Sequence, residues 1–405
     1  MVKKDLQFFN NIPKNFLKTN STKKLSKKFS NFFSSINIDM KKNNKTVNVL
    51  SDKIKLNFSL KKMKNFEKFR TIALIGMGGS ILGAEAIHSF LKYKIKKKLY
   101  FFNDVNVKKL LLFKKKEDFK KTLFIVISKS GETLETFSNL FALNILKKNS
   151  KNLIIISEKK NNSLHNLAKK LNLVFIEHNP HVGGRYSVLT EVGLVPSFFM
   201  GVNIKKLRSD IRTFLKKKGK NFLKDSVIKL ANLQKSKNIK NIIYLNYSPE
   251  MEKFLYWCQQ LVAESLGKKG KGFLPVISNV PKDHHSLLQL YLDGPRDKLF
   301  YIFSSQDDNK IKLSVRKNLN KYKHLNGKNL SFIKNAQKNA LKEILKKNNM
   351  PYREFIINRK SETVLGTLFS YFILETIILA KLIGVNPYNQ PAVEQVKVKT
   401  KKILS

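Results

Sequence analysis

Short, continuous apolar runs recur along this 405-residue chain, and their spacing restricts its fold more than any other feature. TIALIG (71–76), LYFF (99–102), TLFIVIS (122–128), NLIIIS (152–157) and LVFIEH (173–178) are too short for helices and are bounded by polar or glycine residues. Between them, residues 81–92, 133–148 and 163–171 space their apolar side chains three and four apart, as a helix requires. Strands that are apolar throughout must be buried on both faces, the situation of a parallel sheet sandwiched between helices. A second series follows: NIIYLN (241–246), a helix over 254–266, KLFYIFS (298–304), a helix near 336–347, REFIIN (353–358) and a closing helix over 364–382. The pattern predicts an α/β chain with two doubly wound parallel sheets, each the middle layer of an α/β/α sandwich. The expected domains are 46–205 and 206–385, joined near 201–217. Residues 1–45 read as a basic amphipathic arm docking on the body, and 386–405 as a C-terminal segment and tail.

Ligands of open α/β sheets sit beyond the carboxyl ends of the strands, so the residues after each strand are the ones to inspect. The first strand runs into Gly76, Met77, Gly78, Gly79 and Ser80 before a helix. Glycines let a ligand approach the backbone there, and a helix start offers free N–H groups to an anion. The run lacks the third glycine of a dinucleotide fingerprint, because Ile81 takes its place, and no Walker-type lysine follows. The bland alternative is a tight strand–helix turn. The third strand ends in Ser128, Lys129, Ser130, Gly131, Glu132 and Thr133. A helix cap would account for one hydroxyl but not three, so this run is expected to cradle a phosphate.

The chain has 79 Lys and Arg against 28 Asp and Glu, a formal net charge of +51. Such a balance is compatible with nucleic-acid binding, in which cations on phosphates release counterions. Only eight of the 79 are Arg, however, and bidentate recognition of bases and phosphates favours the planar Arg fork. Lysine is spread along nearly the whole length beside abundant Asn, as inflation on tolerant surface positions would produce. Nucleic acid is therefore not expected as a partner. A 42% apolar share excludes a disordered polycation. The single cysteine, Cys258, excludes a disulfide framework and a cysteine-built zinc site, and fits a reducing compartment. Residues 363–385 are long and apolar enough to span a bilayer but contain Glu375 and Lys381, so a buried helix is expected, with no membrane partner. The N-terminal stretch has no apolar run of signal-peptide length. A cytoplasmic location is the expectation.

The S-K-S-G-E-T run resembles the phosphosugar-binding motif of sugar isomerase (SIS) domains, and four further segments narrow the resemblance to the glucose-6-phosphate isomerase family. GGRYSVLTEVGL (183–194) is similar to that family's first signature. ESLGKKGKG (264–272) resembles its catalytic-glutamate segment, DHHSLLQLYLDGP (283–295) its histidine segment, and NPYNQPAVEQVK (386–397) its C-terminal signature, with Ala392 where Gly is usual. These segments run in family order, and the modest length resembles the shorter bacterial type.

The resemblance implies two SIS-type domains and a cofactor-free, metal-free aldose–ketose isomerase. Its reaction would interconvert D-glucose 6-phosphate and D-fructose 6-phosphate through ring opening and a cis-enediolate. Such chemistry needs a carboxylate base reaching C1 and C2, a cation for the oxyanion, and an acid/base pair for the ring. The implied residues are Glu264 as base, Arg185 as oxyanion stabiliser, and His285 and Lys397 for ring opening. Gly78, Gly79, Ser80, Ser128, Lys129, Ser130, Thr133 and Gln390 would bind substrate. A homodimer with shared sites is implied, His285 reaching into the partner's. His284 stands where the family commonly has Gln. Taken alone, Glu264 would read as a solvated helix-end cap and Lys397 as part of a basic tail. Adjacent histidines at 284 and 285 make poor chelate geometry, and Glu177–His181 lacks a helical zinc pattern. Two other functions remain open: an isomerase that also accepts mannose 6-phosphate, and a non-catalytic sugar-phosphate sensor that binds nucleic acid. The sensor would have no need of Glu264, Arg185, His285 and Lys397 together, and its nucleic-acid binding would weaken steeply with salt.

Overall fold

The computed structural model describes residues 4–404 apart from 18, 237, 307–310 and 317. Ten strands form two five-stranded sheets: β1 (Leu6–Asn11), β2 (Thr71–Gly76), β3 (Lys98–Phe102), β4 (Thr122–Ile127), β5 (Leu153–Ser157), β6 (Val174–Glu177), β7 (Asn241–Asn246), β8 (Leu274–Asn279), β9 (Lys298–Ser305) and β10 (Tyr352–Ile357). The first sheet has the order β3-β2-β4-β5-β6 and is parallel throughout. The second has the order β1-β10-β9-β7-β8 and is parallel except for β1, which pairs antiparallel with β10. Every residue of β2, β4, β5 and β9 is buried, which is why these segments read as unbroken apolar runs. The expected two-sheet α/β architecture is the observed one.

Two strands escaped the sequence pattern, and both lie at the edges of the second sheet. β1, LQFFNN, buries Leu6 and Phe8 and otherwise faces outward. β8, LPVISN, contains Pro275 and is exposed at Leu274. An edge strand is covered on fewer sides, so its sequence needs no continuous apolar run, and it tolerates proline.

The segment expected as an N-terminal arm is integral to the body, although its first three residues lie outside the described part. Beyond β1 it forms a helix, Thr19–Asp39, whose Leu25, Phe29, Phe33 and Ile36 lie along one buried face. That face packs on the helices Lys217–Ser236 and Glu362–Ile383. The latter is long and apolar enough to cross a membrane, yet nearly all of it is buried inside the protein. It opens on Ser361, whose hydroxyl accepts from the Val364 N–H, and ends on Gly384 in the left-handed conformation at φ +78°.

The N-terminal strand is anchored by a buried charge. Arg353 of β10 is fully buried, and its guanidinium lies 2.8 Å from Glu375 of the long helix. It also donates to Asn10 Oδ1 of β1 (2.8 Å), Tyr301 Oη of β9 (2.7 Å), Ser226 Oγ (3.3 Å) and the Tyr371 hydroxyl. A buried pair with its remaining donors satisfied is tolerable, whereas half of one is not. Arg353→Met should therefore lower unfolding stability by about 3–5 kcal/mol in urea titration. Combining it with Glu375→Met should recover a large part of that loss, because no uncompensated charge remains.

Candidate active site

The chain order reverses between β2 and β4, which are neighbours in the first sheet, and their carboxyl ends lie side by side with Gly76 opposite Ile127. The two turns singled out by sequence therefore meet. After β2, residues Gly78–Ser80 form one turn of 3-10 helix, with Gly78 at φ +52°. A Cβ on Gly79 would lie 2.2 Å from the carbonyl carbon of Gly184 and 2.5 Å from the Arg185 nitrogen. Only a bare backbone can approach so closely, and the approach sets the second glycine turn, Gly183–Gly184, directly against the first.

After β4, the hydroxyls of Ser128 and Thr133 are 2.8 Å apart, and that of Ser130 is 3.5 Å from Ser128. The N–H groups of Gly131 and Glu132 donate to Ser128 Oγ and Ser130 Oγ, each at 3.2 Å. Gly131, at φ +70°, is pressed against the Asn162 side chain. Thr133 precedes the helix Leu134–Leu143 without capping it, leaving its hydroxyl to the cluster. Glu132, a negative charge that sits awkwardly beside an anion cradle, has an occupation of its own. Its carboxylate accepts from the Ser163 N–H (2.6 Å) and hydroxyl (2.8 Å) at the start of the helix Ser163–Lys170. Lys129 reaches the Pro180 carbonyl (3.1 Å) and Glu158 (3.4 Å) rather than the hydroxyls.

Arg185, 2% exposed, organises the other half of the site. Its Nε donates to Ser265 Oγ (2.9 Å), and Nη1 to Glu264 Oε2 (2.9 Å) and Gln390 Oε1 (2.6 Å). Nη2 donates to the carbonyls of Pro387 (2.5 Å) and Asn389 (3.3 Å). All five N–H groups of the guanidinium thus have acceptors. The Tyr186 hydroxyl bridges Ser265 Oγ and the Pro387 carbonyl. Glu264 lies in the last turn of the helix Glu252–Leu266, with its side chain 29% exposed and so open to a ligand.

Besides Ser265 and Tyr186, sequence reasoning did not single out Gln260 and Lys268. Gln260, one turn before Glu264, donates from Nε2 to Glu264 Oε1 (2.9 Å), and the same amide nitrogen would lie 2.8 Å from a Cβ on Gly78. The i, i+4 spacing from the glutamate was the available signal. Lys268 donates to the Glu264 and Ser265 carbonyls at 2.7 and 2.8 Å. Among so many lysines its position carried no signal.

Among the described residues, no hydrogen bond joins the other expected residues, His285, Lys397 and Ser80, to this cluster. His285 is exposed in the short turn Lys282–His285 after β8. Its neighbour His284 shares a hydrogen bond with the buried Tyr247 hydroxyl, 3.0 Å from Nε2. Burial, and then the charge of His285, lower the pKa of His284. Lys397 projects from the exposed helix Val393–Leu404 and pairs with Glu394 at 2.7 Å. Ser80 is buried, within the glycine turn. Among the described residues, no three His, Cys, Asp or Glu side chains are grouped to hold a metal ion.

Two α/β units, a cluster of hydroxyls and a buried cation against an accessible carboxylate agree with the sugar isomerase class that the sequence resembles. A family model described as phosphoglucose isomerase matches residues 33–273. The chain is 33% identical over 362 residues to the probable glucose-6-phosphate isomerase of Methanococcus maripaludis, covering 86% of this chain and 81% of that protein. It is likewise 33% identical over 351 residues to the glucose-6-phosphate isomerase of Mycoplasmopsis synoviae, covering 82% and 81%. Among solved structures, a hypothetical protein from Thermus thermophilus superposes with a TM-score of 0.81 at 24% identity, over 98% of this chain and all of that one. A glucose-6-phosphate isomerase from Chlamydia trachomatis gives 0.77 at 17%, over all of this chain and 89% of that one. The chain belongs to the phosphoglucose isomerase family.

The contact between the glycine turns generates a direct test. Gly79→Ala must displace the Gly184–Arg185 backbone, and a shift near 1 Å at a reacting group can cost roughly 10²-fold in rate. Hexose-phosphate isomerisation should fall by about that factor in steady-state assay, while circular dichroism stays native.

Proposed function

We propose that the chain interconverts D-glucose 6-phosphate and D-fructose 6-phosphate, a step of glycolysis and gluconeogenesis, without a cofactor. The observation that carries the assignment is the 2.9 Å contact of the accessible Glu264 carboxylate with the buried Arg185, beside hydroxyls suited to a phosphate. The phosphate is bound by the hydroxyls of Ser128, Ser130 and Thr133, beside the glycine turn Gly78–Ser80. Ring opening at C1 and O5 is assisted by His285 and Lys397. Glu264 then removes the proton from C2, and the electron pair forms the C1–C2 double bond of a cis-enediolate. The aldehyde π pair moves to O1, the O2 proton passes to O1, and return of the abstracted proton to C1 leaves the C2 carbonyl of the ketose. Arg185 meets the negative charge that develops on the enediolate oxygens, where a preorganised cation is most effective. Gln260 and Gln390 hold the carboxylate and guanidinium in register.

The working form is a homodimer in the cytoplasm, and each His285 acts in the partner's site. Support for this comes from the exposure of His285 on its turn, where it is open to a second subunit. The single, buried Cys258 agrees with a reducing compartment.

Glu264→Gln should lower kcat by about 10²–10⁴-fold, the usual contribution of a general base, with substrate-analogue binding little changed. A coupled fructose 6-phosphate assay, run beside mannose 6-phosphate, measures the loss and fixes the substrate range; substantial turnover in the variant would exclude Glu264 as base. Mixing inactive Glu264→Gln and His285→Ala subunits should restore roughly a quarter of wild-type activity, since half of randomly formed dimers are hybrid and each has one intact site. No recovery after confirmed subunit exchange would sink the shared-site arrangement.

A further inference from the structure

The helix Glu252–Leu266 ends inside the site, and a helix end leaves its last four carbonyls without intrahelical partners. Each of the four is accounted for. The Ala263 carbonyl accepts from the Gly267 N–H at 2.9 Å, and that of Leu266 from the Lys268 N–H at 2.8 Å. Those of Glu264 and Ser265 both accept from the Lys268 ammonium, at 2.7 and 2.8 Å. These two residues carry the site: Glu264 faces the substrate, and the Ser265 hydroxyl receives Arg185 Nε at 2.9 Å and bonds to Tyr186. One ammonium therefore fixes the backbone beneath both the carboxylate and the anchor of the guanidinium.

The ammonium is itself held firmly. Lys268 and Lys271 exchange backbone hydrogen bonds at 3.2 and 3.0 Å across a turn in which Lys269 and Gly270 take positive φ. Gly272, at φ +111°, brings the chain back against the helix end, where a Cβ would lie 2.9 Å from the Gly267 nitrogen. Lys271 turns its own ammonium away, to the Ile383 carbonyl at 2.8 Å. The charged groups facing Lys268 are Arg185 and Glu264. A cation at a helix C-terminus is favoured by the carbonyl dipoles, and here it adds to the positive charge over the reacting atoms.

We propose that Lys268 is a positioning residue of the isomerisation: it holds Glu264 and Ser265, and through Ser265 Arg185, in the geometry of proton transfer, and its charge reinforces that of Arg185 against the enediolate. The inference rests on the assignment of Glu264 as the base. Burial, and then the nearby Arg185, push the Lys268 ammonium down to about 8, with Glu264 opposing. The charge is thus present below about pH 8 and lost as pH rises through it, so turnover should fall on the alkaline side.

The test measures kcat and KM for fructose 6-phosphate from about pH 6 to about pH 10 in wild type, Lys268→Met and Lys268→Arg, with Glu264→Gln as reference. Wild type should show an alkaline limb in kcat near pH 8. Lys268→Met should lose about 10–10²-fold in kcat, with KM within roughly threefold and the limb abolished. Lys268→Arg keeps donors and a permanent charge, so it should recover most of kcat and lose the limb. A Lys268→Met enzyme with wild-type kcat and limb overturns the proposal, as does a loss that only matches the folded fraction by circular dichroism. Should Lys268→Met not fold, Lys268→Arg decides alone: an unchanged limb overturns the proposal. If Glu264→Gln instead retains turnover, the base assignment fails, a result distinct from any outcome at Lys268.

Discussion

A guanidinium taken out of water must have every N–H matched, and at Arg185 that requirement gathers the rest of the site. Its five donors are met by Glu264 and Ser265 at the end of one helix and by Pro387, Asn389 and Gln390 of the C-terminal segment. Removing any of these acceptors would leave a buried charge short of partners, a costly condition. Stretches some 80 and 200 residues away in the chain are thereby tied to one glycine-flanked turn. Of the acceptors, Glu264 alone is a carboxylate, and it remains accessible. The demand for satisfaction that stabilises the fold also places an accessible carboxylate against a cation.

Backbone, rather than side chains, brings the anion-binding half alongside. β2 and β4 are neighbours because the winding of the first sheet reverses between them, so their following turns share one crevice. Gly79 lets the turn after β2 touch Gly184, and Gly78 leaves room for the Gln260 amide that steadies Glu264. The hydroxyls of Ser128, Ser130 and Thr133 are linked by hydrogen bonds on the adjoining turn. Glu132 is engaged instead with the Ser163 N–H and hydroxyl.

The net charge of +51 is a property of the surface. Several of the acidic residues are buried, among them Glu85, Glu191, Glu354, Glu362 and Glu375, so the exterior is more cationic than composition alone conveys. A field of this sign attracts anions in general and opposes compaction, and the buried sheets and the long helix must offset that repulsion. Lys268 is the informative exception. Its ammonium is half-buried at the helix end that carries Glu264, where its function depends on placement rather than on number.

The sequence by itself determined the layered α/β architecture, because a strand buried on both faces must be apolar throughout, and β2, β4, β5 and β9 are. It also marked the turns around Gly79 and Ser128 by their glycines and clustered hydroxyls, and those around Arg185, Glu264 and Gln390 only through the resemblance of their segments to family signatures. The edge strands β1 and β8 were illegible for the complementary reason: partial cover imposes no such pattern. Only the tertiary structure decided that the N-terminal segment completes the second sheet, that Glu132 caps a helix, that His285 lies exposed on a turn and that Lys397 pairs with Glu394 on an exposed helix. Gln260 and Lys268 belong to the same category. Their hydrogen bonds are local, to Glu264 and Ser265 three or four residues away, but that this helix end meets the distant Arg185 turn leaves no trace in local residue order.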